Sequence, residues 1–383
     1  MNRMIHRLLE LGYHELVDWE GIYHSKIRAG DKLYDAYRVI HDSSLGPSKG
    51  GIRFHPNVTE EELKMLSLLM SLKNSLMELP YGGAKGGVVV DPKRLSREEL
   101  RELSRNYANA FRDIIGTWKD IPAPDVNTNS QIIAWMLDAY QNAVGTRDMG
   151  MFTSKPVELG GIAFREISTS YGGFVIIDYI AKNIERRNLK IAIQGVGNVG
   201  GNLARMLDEA GYKVIAVSDS KGGVYNENGL NIADLLAYKQ QHGSFEGYRG
   251  DSIDNKEILE LDVDVLVPAA LEMQIGEHNY NYIKAKWIVE MANNPVDWSV
   301  DDRLNSIIVP DILANSGGVI GSYMEWVYNI TGNYLDEETM KQKTRDRILN
   351  KFLKLFSKDP KHMRENAIRE AADRIVRARK LRK

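Results

Sequence analysis

Residues Lys190–Leu207 read KIAIQGVGNVGGNLARML, and this stretch decides the fold of the C-terminal half. An apolar run, Ile191 to Ile193, leads into Gly195, Gly197 and Gly200 in a GxGxxG spacing, and a helix-period pattern follows. In a βαβ unit the first glycine permits a tight turn, the second lets the backbone approach a pyrophosphate, and the third lets helix and strand pack closely. Asn198 and Val199 open the helix, where free N–H groups and the positive dipole end favour phosphate. A second apolar strand, KVIAVSDS, ends at Asp219, 19 residues after Gly200 (219 − 200). An acid there bonds the ribose 2′-hydroxyl of NAD. Ser220 lies beside it, and Lys221 could instead meet the 2′-phosphate of NADP, so both coenzymes stay open.

Outward from this unit, strand and helix keep alternating. A helix is expected from Asn231, then the apolar runs VDVLVPAA, WIVEMA and SIIVP. Continuous apolar strands separated by helices imply a doubly wound, Rossmann-type parallel sheet covered on both faces. Before Pro156 the pattern differs. YDAYRVIHDS (Tyr34 to Ser43) alternates like a strand with one wet face, and helices are expected over Thr59–Leu79, Ser96–Ile115 and Asn127–Ala143. Two α/β domains are therefore expected: residues 1–156 for substrate and self-association, and 157–335 for the dinucleotide. The charged amphipathic run 336–383 reads as C-terminal helices, with packing back on the first domain one placement open to them. Its basic end, RARKLRK, suits a helix C-terminus.

Composition narrows the function classes. The chain has 383 residues and a formal net charge of −2, so bulk electrostatics points to neither nucleic acid nor an anionic membrane. Cysteine is absent, which excludes disulfides, thiolate metal sites and a cysteine nucleophile; no metal is expected. The N-terminus lacks a signal-peptide pattern, and no apolar stretch reaches the ~18 residues of a membrane span. A cytoplasmic protein is expected.

ELPYGGAKGGVVVDP, Glu78 to Pro92, sets Lys85 between paired glycines. A triphosphate-binding loop needs GxxxxGK[ST], and Lys85 is followed by Gly86 with no hydroxyl nearby, so that role fails. Lys73 lies in KMLSLLMSLKNSLM, a helix apolar nearly all round and therefore buried. A buried ammonium meets an anion, loses its proton, or snorkels to water along its stem. Lys49 and Gly50 stand in GPSKGGIRFHP, with Arg53 four residues on. Three such lysines opposite a dinucleotide domain describe a site for a small molecule with more than one carboxylate.

GPSKGGIRFHP, LKNSLMELPYGGAKGGVVVDP, IPAPDVNT, IQGVGNVG, VSDSKGG, VPAALEMQI and VPDILANSGGV occur in order from about residue 20 to 330. Together they resemble the glutamate, leucine, phenylalanine and valine dehydrogenase family, and within it the glutamate dehydrogenases. The resemblance implies a substrate domain, a dinucleotide domain, a cleft between them and a homohexamer. It also implies reversible oxidative deamination of an amino acid to its 2-oxo acid and ammonia. It makes Lys85 the catalytic lysine and Asp125 the catalytic aspartate. Lys73 holds the substrate α-carboxylate, and Lys49 with Gly50 and Ser322 takes the side-chain carboxylate. Asn315 contacts substrate, and Thr169 and Asn293 lie on the coenzyme side. Lysine at position 49 favours glutamate, since relatives acting on apolar amino acids have an apolar residue there. The glycines around Lys85 are expected to let substrate approach.

Three positions depart from the family pattern. Met291 replaces a glycine in EMANNP and is expected to crowd the coenzyme-side turn. Ser170 replaces a glycine after Thr169, and Ser48 replaces an alanine before Lys49. A dehydrogenase of another amino acid and a non-catalytic dinucleotide-binding regulatory subunit are the alternative functions.

Overall fold

YDAYRVIHDS becomes the core of the second strand in a five-stranded sheet, seen in a computed structural model that describes residues 3–382. The strands are β1 (Gly21–Ala29), β2 (Lys32–Asp42), β3 (Ser48–His55), β4 (Gly83–Val89) and β5 (Asp120–Pro124), in the order β1-β2-β4-β3-β5. β1, β2 and β4 pair antiparallel, whereas β3 runs parallel to both β4 and β5. Besides α1 (Arg3–Glu10), three helices belong to this part: α2 (Glu60–Leu76), α3 (Arg97–Ala110) and α4 (Ser130–Val144). α3 and α4 cover one face through Leu103, Tyr107, Ile133 and Met136, packed with Ala36, Ile52, Phe54 and Val88 of the strands. α2 covers the other through Leu63 against Val39.

Helix limits follow local backbone chemistry. Thr59 caps α2, Ser96 closes a capping box with Glu99 on α3, and Asn129 caps α4. α2 stops at Leu76, short of the expected Leu79, where Glu78 turns left-handed at φ 54°. α4 starts at Ser130 because Asn127, the expected first residue, is left-handed at φ 58°.

The second sheet has seven strands: β6 (Lys190–Gln194), β7 (Lys213–Asp219), β8 (Gly222–Tyr225), β9 (Asp251–Ile253), β10 (Val265–Pro268), β11 (Trp287–Val289) and β12 (Ile307–Val309). Their order is β12-β11-β10-β6-β7-β8-β9. The first five run parallel, as expected, while β8 and β9 add an antiparallel edge that the apolar pattern does not announce. After β6 the chain builds outward to β7 and later returns to the other side at β10. The carboxyl end of β6 is therefore a topological switch point, where ligands of such sheets bind. The remaining helices along the chain are α5 (Phe164–Tyr179), α6 (Asn198–Glu209), α7 (Ile232–His242), α8 (Glu257–Glu260), α9 (Asp311–Ala314), α10 (Gly317–Thr331), α11 (Glu337–Lys358) and α12 (Met363–Leu381).

The chain forms two compact units that do not follow the expected limits at 156 and 335. The first comprises the chain up to Glu166, Val319–Met340 and the residues from Ile368 on; the second comprises Ile167–Gly318 and Lys341–Ala367. Strand–helix alternation reports the sheet and is silent about where a helix goes after the last strand; most of α10 falls in the first unit. None of the helices among the described residues is long and apolar enough to cross a membrane.

Candidate functional site

Lys85 sits mid-strand on β4, not in a loop. Side chains alternate along a strand, so Lys85 shares its face with positions 83 and 87. A Cβ at Gly83 would lie 2.3 Å from the Ser71 nitrogen of α2, and one at Gly87 2.8 Å from Val58. Lys85 therefore faces α2, the helix that carries Lys73. These glycines let α2 lie directly on the strand. Gly86 serves the opposite face, where a Cβ would meet the Tyr107 hydroxyl at 2.1 Å. Gly50 makes room for neighbouring backbone, its Cβ falling 1.5 Å from the Ala84 carbonyl oxygen.

Lys85 and Asp125 come together: Nζ lies 2.8 Å from Oδ2, with Lys85 only 5% exposed. Asp125 also accepts from Arg53 Nε at 3.1 Å, and Arg53 pairs with Glu62 at the start of α2. Burial lowers the Lys85 pKa, Asp125 opposes, and Arg53 and Arg38 push it down further. For Asp125 burial alone acts upward, yet Lys85 and Arg53 hold the carboxyl below its ordinary value. Lys73 is buried on α2. Behind the site Arg38 makes two 2.6 Å bonds to Asp120 and donates to the Gly50 carbonyl at 3.1 Å, with neither charge exposed. This ties β2, β3 and β5 beneath Lys49.

Lys49 is 2% exposed, and its pKa falls well below an ordinary lysine's, through burial first and then Arg165 and Arg38. Arg165 is the residue that sequence reasoning missed. Its Nε donates to Ser322 Oγ at 3.0 Å, and Thr153 Oγ1 lies 3.4 Å from the same hydroxyl. One turn further along α10, Glu325 is fully buried, pairs with Lys155 at 3.0 Å and accepts the Ser154 N–H at 2.8 Å. The signal for Arg165 was present in GGIAFREIS: the one cation of its helix, placed in the first turn and following paired glycines.

In the second unit the glycines behave as the fingerprint requires. Gly195 has φ +92°, and a Cβ there would lie 2.6 Å from Ala270. A Cβ at Gly200 would lie 2.0 Å from the Gly195 carbonyl oxygen, whereas Gly197 faces open space. Gly197 and Asn198 are exposed at the N-terminus of α6, with Val199 half-buried, so this end has room and donors for a pyrophosphate. Asp219 accepts the Lys221 N–H at 2.8 Å and meets Lys239 of α7 at 3.3 Å, while Ser220 and Lys221 are exposed. Lys239, a second residue missed, also donates to the Val196 carbonyl at 3.2 Å. Asn315 Nδ2 lies 3.3 Å from Asn293 Oδ1, and Asn315 Oδ1 is buried without a hydrogen-bond partner. Thr169 is half-buried on α5, and its neighbour Ser170 donates to the Val199 carbonyl at 2.8 Å. Met291 does not crowd the turn: its sulfur occupies the space beside Gly173, where a Cβ would come within 2.5 Å.

Residues 160–383 match the family model for glutamate/leucine/phenylalanine/valine dehydrogenase, and residues 23–142 match the model for the dimerisation domain of the same enzymes. A catabolic NAD-specific glutamate dehydrogenase of Bacillus subtilis is 45% identical over 334 residues, covering 85% of this chain and 78% of its own. An NADP-specific glutamate dehydrogenase of Saccharolobus shibatae is 43% identical over 371 residues, covering 93% and 88%. Among solved structures, the Leu-bound hetero-hexameric glutamate dehydrogenase of Thermus thermophilus superposes with a TM-score of 0.93 at 30% identity, covering 100% of this chain and 95% of that one. The chain belongs to the glutamate/leucine/phenylalanine/valine dehydrogenase family of amino-acid oxidoreductases.

Proposed function

We propose that this protein is a cytoplasmic, homohexameric glutamate dehydrogenase that reversibly converts L-glutamate to 2-oxoglutarate and ammonia with NAD or NADP. The observation that carries the reading is the buried Lys85, 2.8 Å from Asp125 and flanked by the cations Arg53 and Arg38. Lys73 holds the α-carboxylate. Lys49, Gly50 and Ser322 receive the side-chain carboxylate, and the Arg165–Ser322 bond adds a guanidinium to that corner. The choice of glutamate over an apolar amino acid follows from chemistry: an isobutyl group set against the buried Lys49 ammonium would offer it no hydrogen-bond acceptor.

The dinucleotide, when bound, accepts hydride from the substrate Cα, which leaves an iminium. Lys85 in its neutral form takes a proton from the water that adds to the iminium carbon. Asp125, ionised at the outset, takes a proton from the substrate ammonium before hydride leaves and returns it to the carbinolamine nitrogen; the C–N bond then breaks, ammonia leaves, and the hydroxyl proton passes to Asp125 as the carbonyl forms, and the reverse sequence aminates 2-oxoglutarate. Gly195, Gly197, Gly200 and the N-terminus of α6 hold the pyrophosphate, and Asp219 the adenosine ribose. Thr169 and Asn293 are assigned to the nicotinamide end.

Steady-state assays with glutamate, leucine, valine, phenylalanine and aspartate, each with NAD and with NADP, test the reading. Glutamate should give the highest kcat/KM. A leucine preference would overturn the assignment of Lys49, and dinucleotide binding without turnover on any substrate would indicate a regulatory subunit.

A further inference from the structure

Glu290 follows β11 directly and precedes Met291–Pro295, the loop that carries Asn293. Its side chain is fully buried. Oε1 accepts from the Val296 N–H at 3.3 Å and from Arg364 Nη2 at 2.6 Å; Oε2 accepts from the Asp311 N–H at 2.9 Å. Asp311 in turn accepts the Asn294 N–H at 2.9 Å. From α9's end, Asn315 Nδ2 reaches the Met291 and Ala292 carbonyls, both at 3.3 Å. The loop is thus held by its N–H groups through two carboxylates and by its carbonyls through one amide. Asn294 has φ 45°, a left-handed conformation that Asn adopts more readily than most residues and that its N–H bond to Asp311 holds here.

Arg364, the second residue of α12, supplies the charge on which this arrangement depends. It is 4% exposed, with Nε 2.8 Å from Asp301 Oδ2 and its guanidinium 5.7 Å from the Trp298 ring. Glu290, Asp301 and Asp311 thus share one guanidinium. Burial pushes the Glu290 carboxyl up to about 8, Asp311 and Asp301 add to the rise, and Arg364 opposes it. Arg364 is the neighbour that favours the ionised carboxyl, the form with the greater acceptor capacity toward the Val296 and Asp311 N–H groups.

We propose that Glu290 and Arg364 form a brace that fixes the backbone of Met291–Pro295, making Arg364 a positioning residue for the dinucleotide through Asn293. This rests on the reading of the second unit as the coenzyme site. The brace gives the charged C-terminal segment a role that its amphipathic pattern does not disclose. The pair's bonds end at Val296, directly after the loop, on the first residue of α9, which holds the Asn294 N–H, and on Asp301.

The test uses the full-length protein and its Arg364→Met, Arg364→Lys and Glu290→Gln variants. Dinucleotide Kd is read by fluorescence titration, and amide hydrogen exchange is followed in Met291–Val296. Arg364→Met and Glu290→Gln should each raise the Kd about tenfold and speed exchange in the loop, while exchange in β6 and β10 stays unchanged. The double variant should be little worse than either single one, because the two side chains act as a unit. Arg364→Lys should fall between wild type and Arg364→Met, since an ammonium keeps the charge and loses the fork; if Arg364→Met does not fold, Arg364→Lys and Glu290→Gln carry the test. Wild-type Kd and loop exchange in the folded variants overturn the brace. Failure of the wild type itself to bind NAD or NADP overturns the coenzyme-site reading and the brace with it.

Discussion

Replacing Lys49 by leucine removes one cation from the side-chain carboxylate corner and nothing else of comparable size. Lys49 is 2% exposed, beside Arg165 and Arg38, with Glu325 and Asp120 as the facing acids. Deleting a buried charge-assisted bond to the substrate carboxylate costs about 2–4 kcal/mol. At about 1.4 kcal/mol per tenfold, kcat/KM for glutamate should fall roughly 30- to 700-fold. Leucine should gain no more than about tenfold, because the new apolar contact is worth ~1–3 kcal/mol and Arg165 stays in the corner. The same change should raise Tm, because a desolvated ammonium opposes folding until its anion arrives. The sign follows from the depressed pKa. Between the folded value and the ordinary 10.5 the unfolded chain binds more protons, so wild-type stability rises with pH there. The Tm advantage of Lys49→Leu is therefore largest below that window and fades as pH approaches 10.5. Kinetics with both amino acids at one coenzyme concentration, and thermal unfolding at two pH values, give the measurements. Equal proportional losses on glutamate and leucine, or a lower Tm at every pH, would refute the argument.

Lys85→Ala and Asp125→Asn should each reduce kcat about 10²- to 10⁴-fold while dinucleotide binding, read by fluorescence, persists; near-normal kcat in either removes it from the mechanism. Arg53→Met deletes a cation that lowers the pKa of both Lys85 and Asp125, so the alkaline-rising limb of kcat/KM for glutamate oxidation should move to higher pH. An unmoved limb would mean that Lys85 is not the titrating base. Asp219→Asn should weaken NAD by about tenfold and NADP less, since only the ribose 2′-hydroxyl needs the carboxylate and Lys239 remains for a phosphate. Equal losses on the two coenzymes would place Asp219 outside the ribose contact.

What was legible in the sequence was whatever depends on neighbours along the chain. Gly195, Gly197 and Gly200 sit between a strand and a helix in one short segment, and their geometry emerged as the spacing required. Lys73 was legible as buried because its own helix has hardly any polar face. The packing role of the glycines around Lys85 was hidden for a related reason. Paired glycines announce that something comes close, but whether that is substrate or a helix backbone depends on α2, whose contact with Gly83 no local pattern encodes. Met291 looked crowded only because Gly173, which receives its sulfur, lies more than a hundred residues earlier. Arg165 is the sharpest case. It reaches Ser322 across 157 residues, so a resemblance that matches positions one at a time can mark Ser322 as a substrate contact without revealing the guanidinium bonded to it. That pairing changes the chemistry of the corner. A serine hydroxyl alone ranks carboxylate and water almost alike, whereas one whose oxygen already accepts from Arg165 and Thr153 has its O–H left as the group to offer a ligand, which suits an acceptor such as a carboxylate.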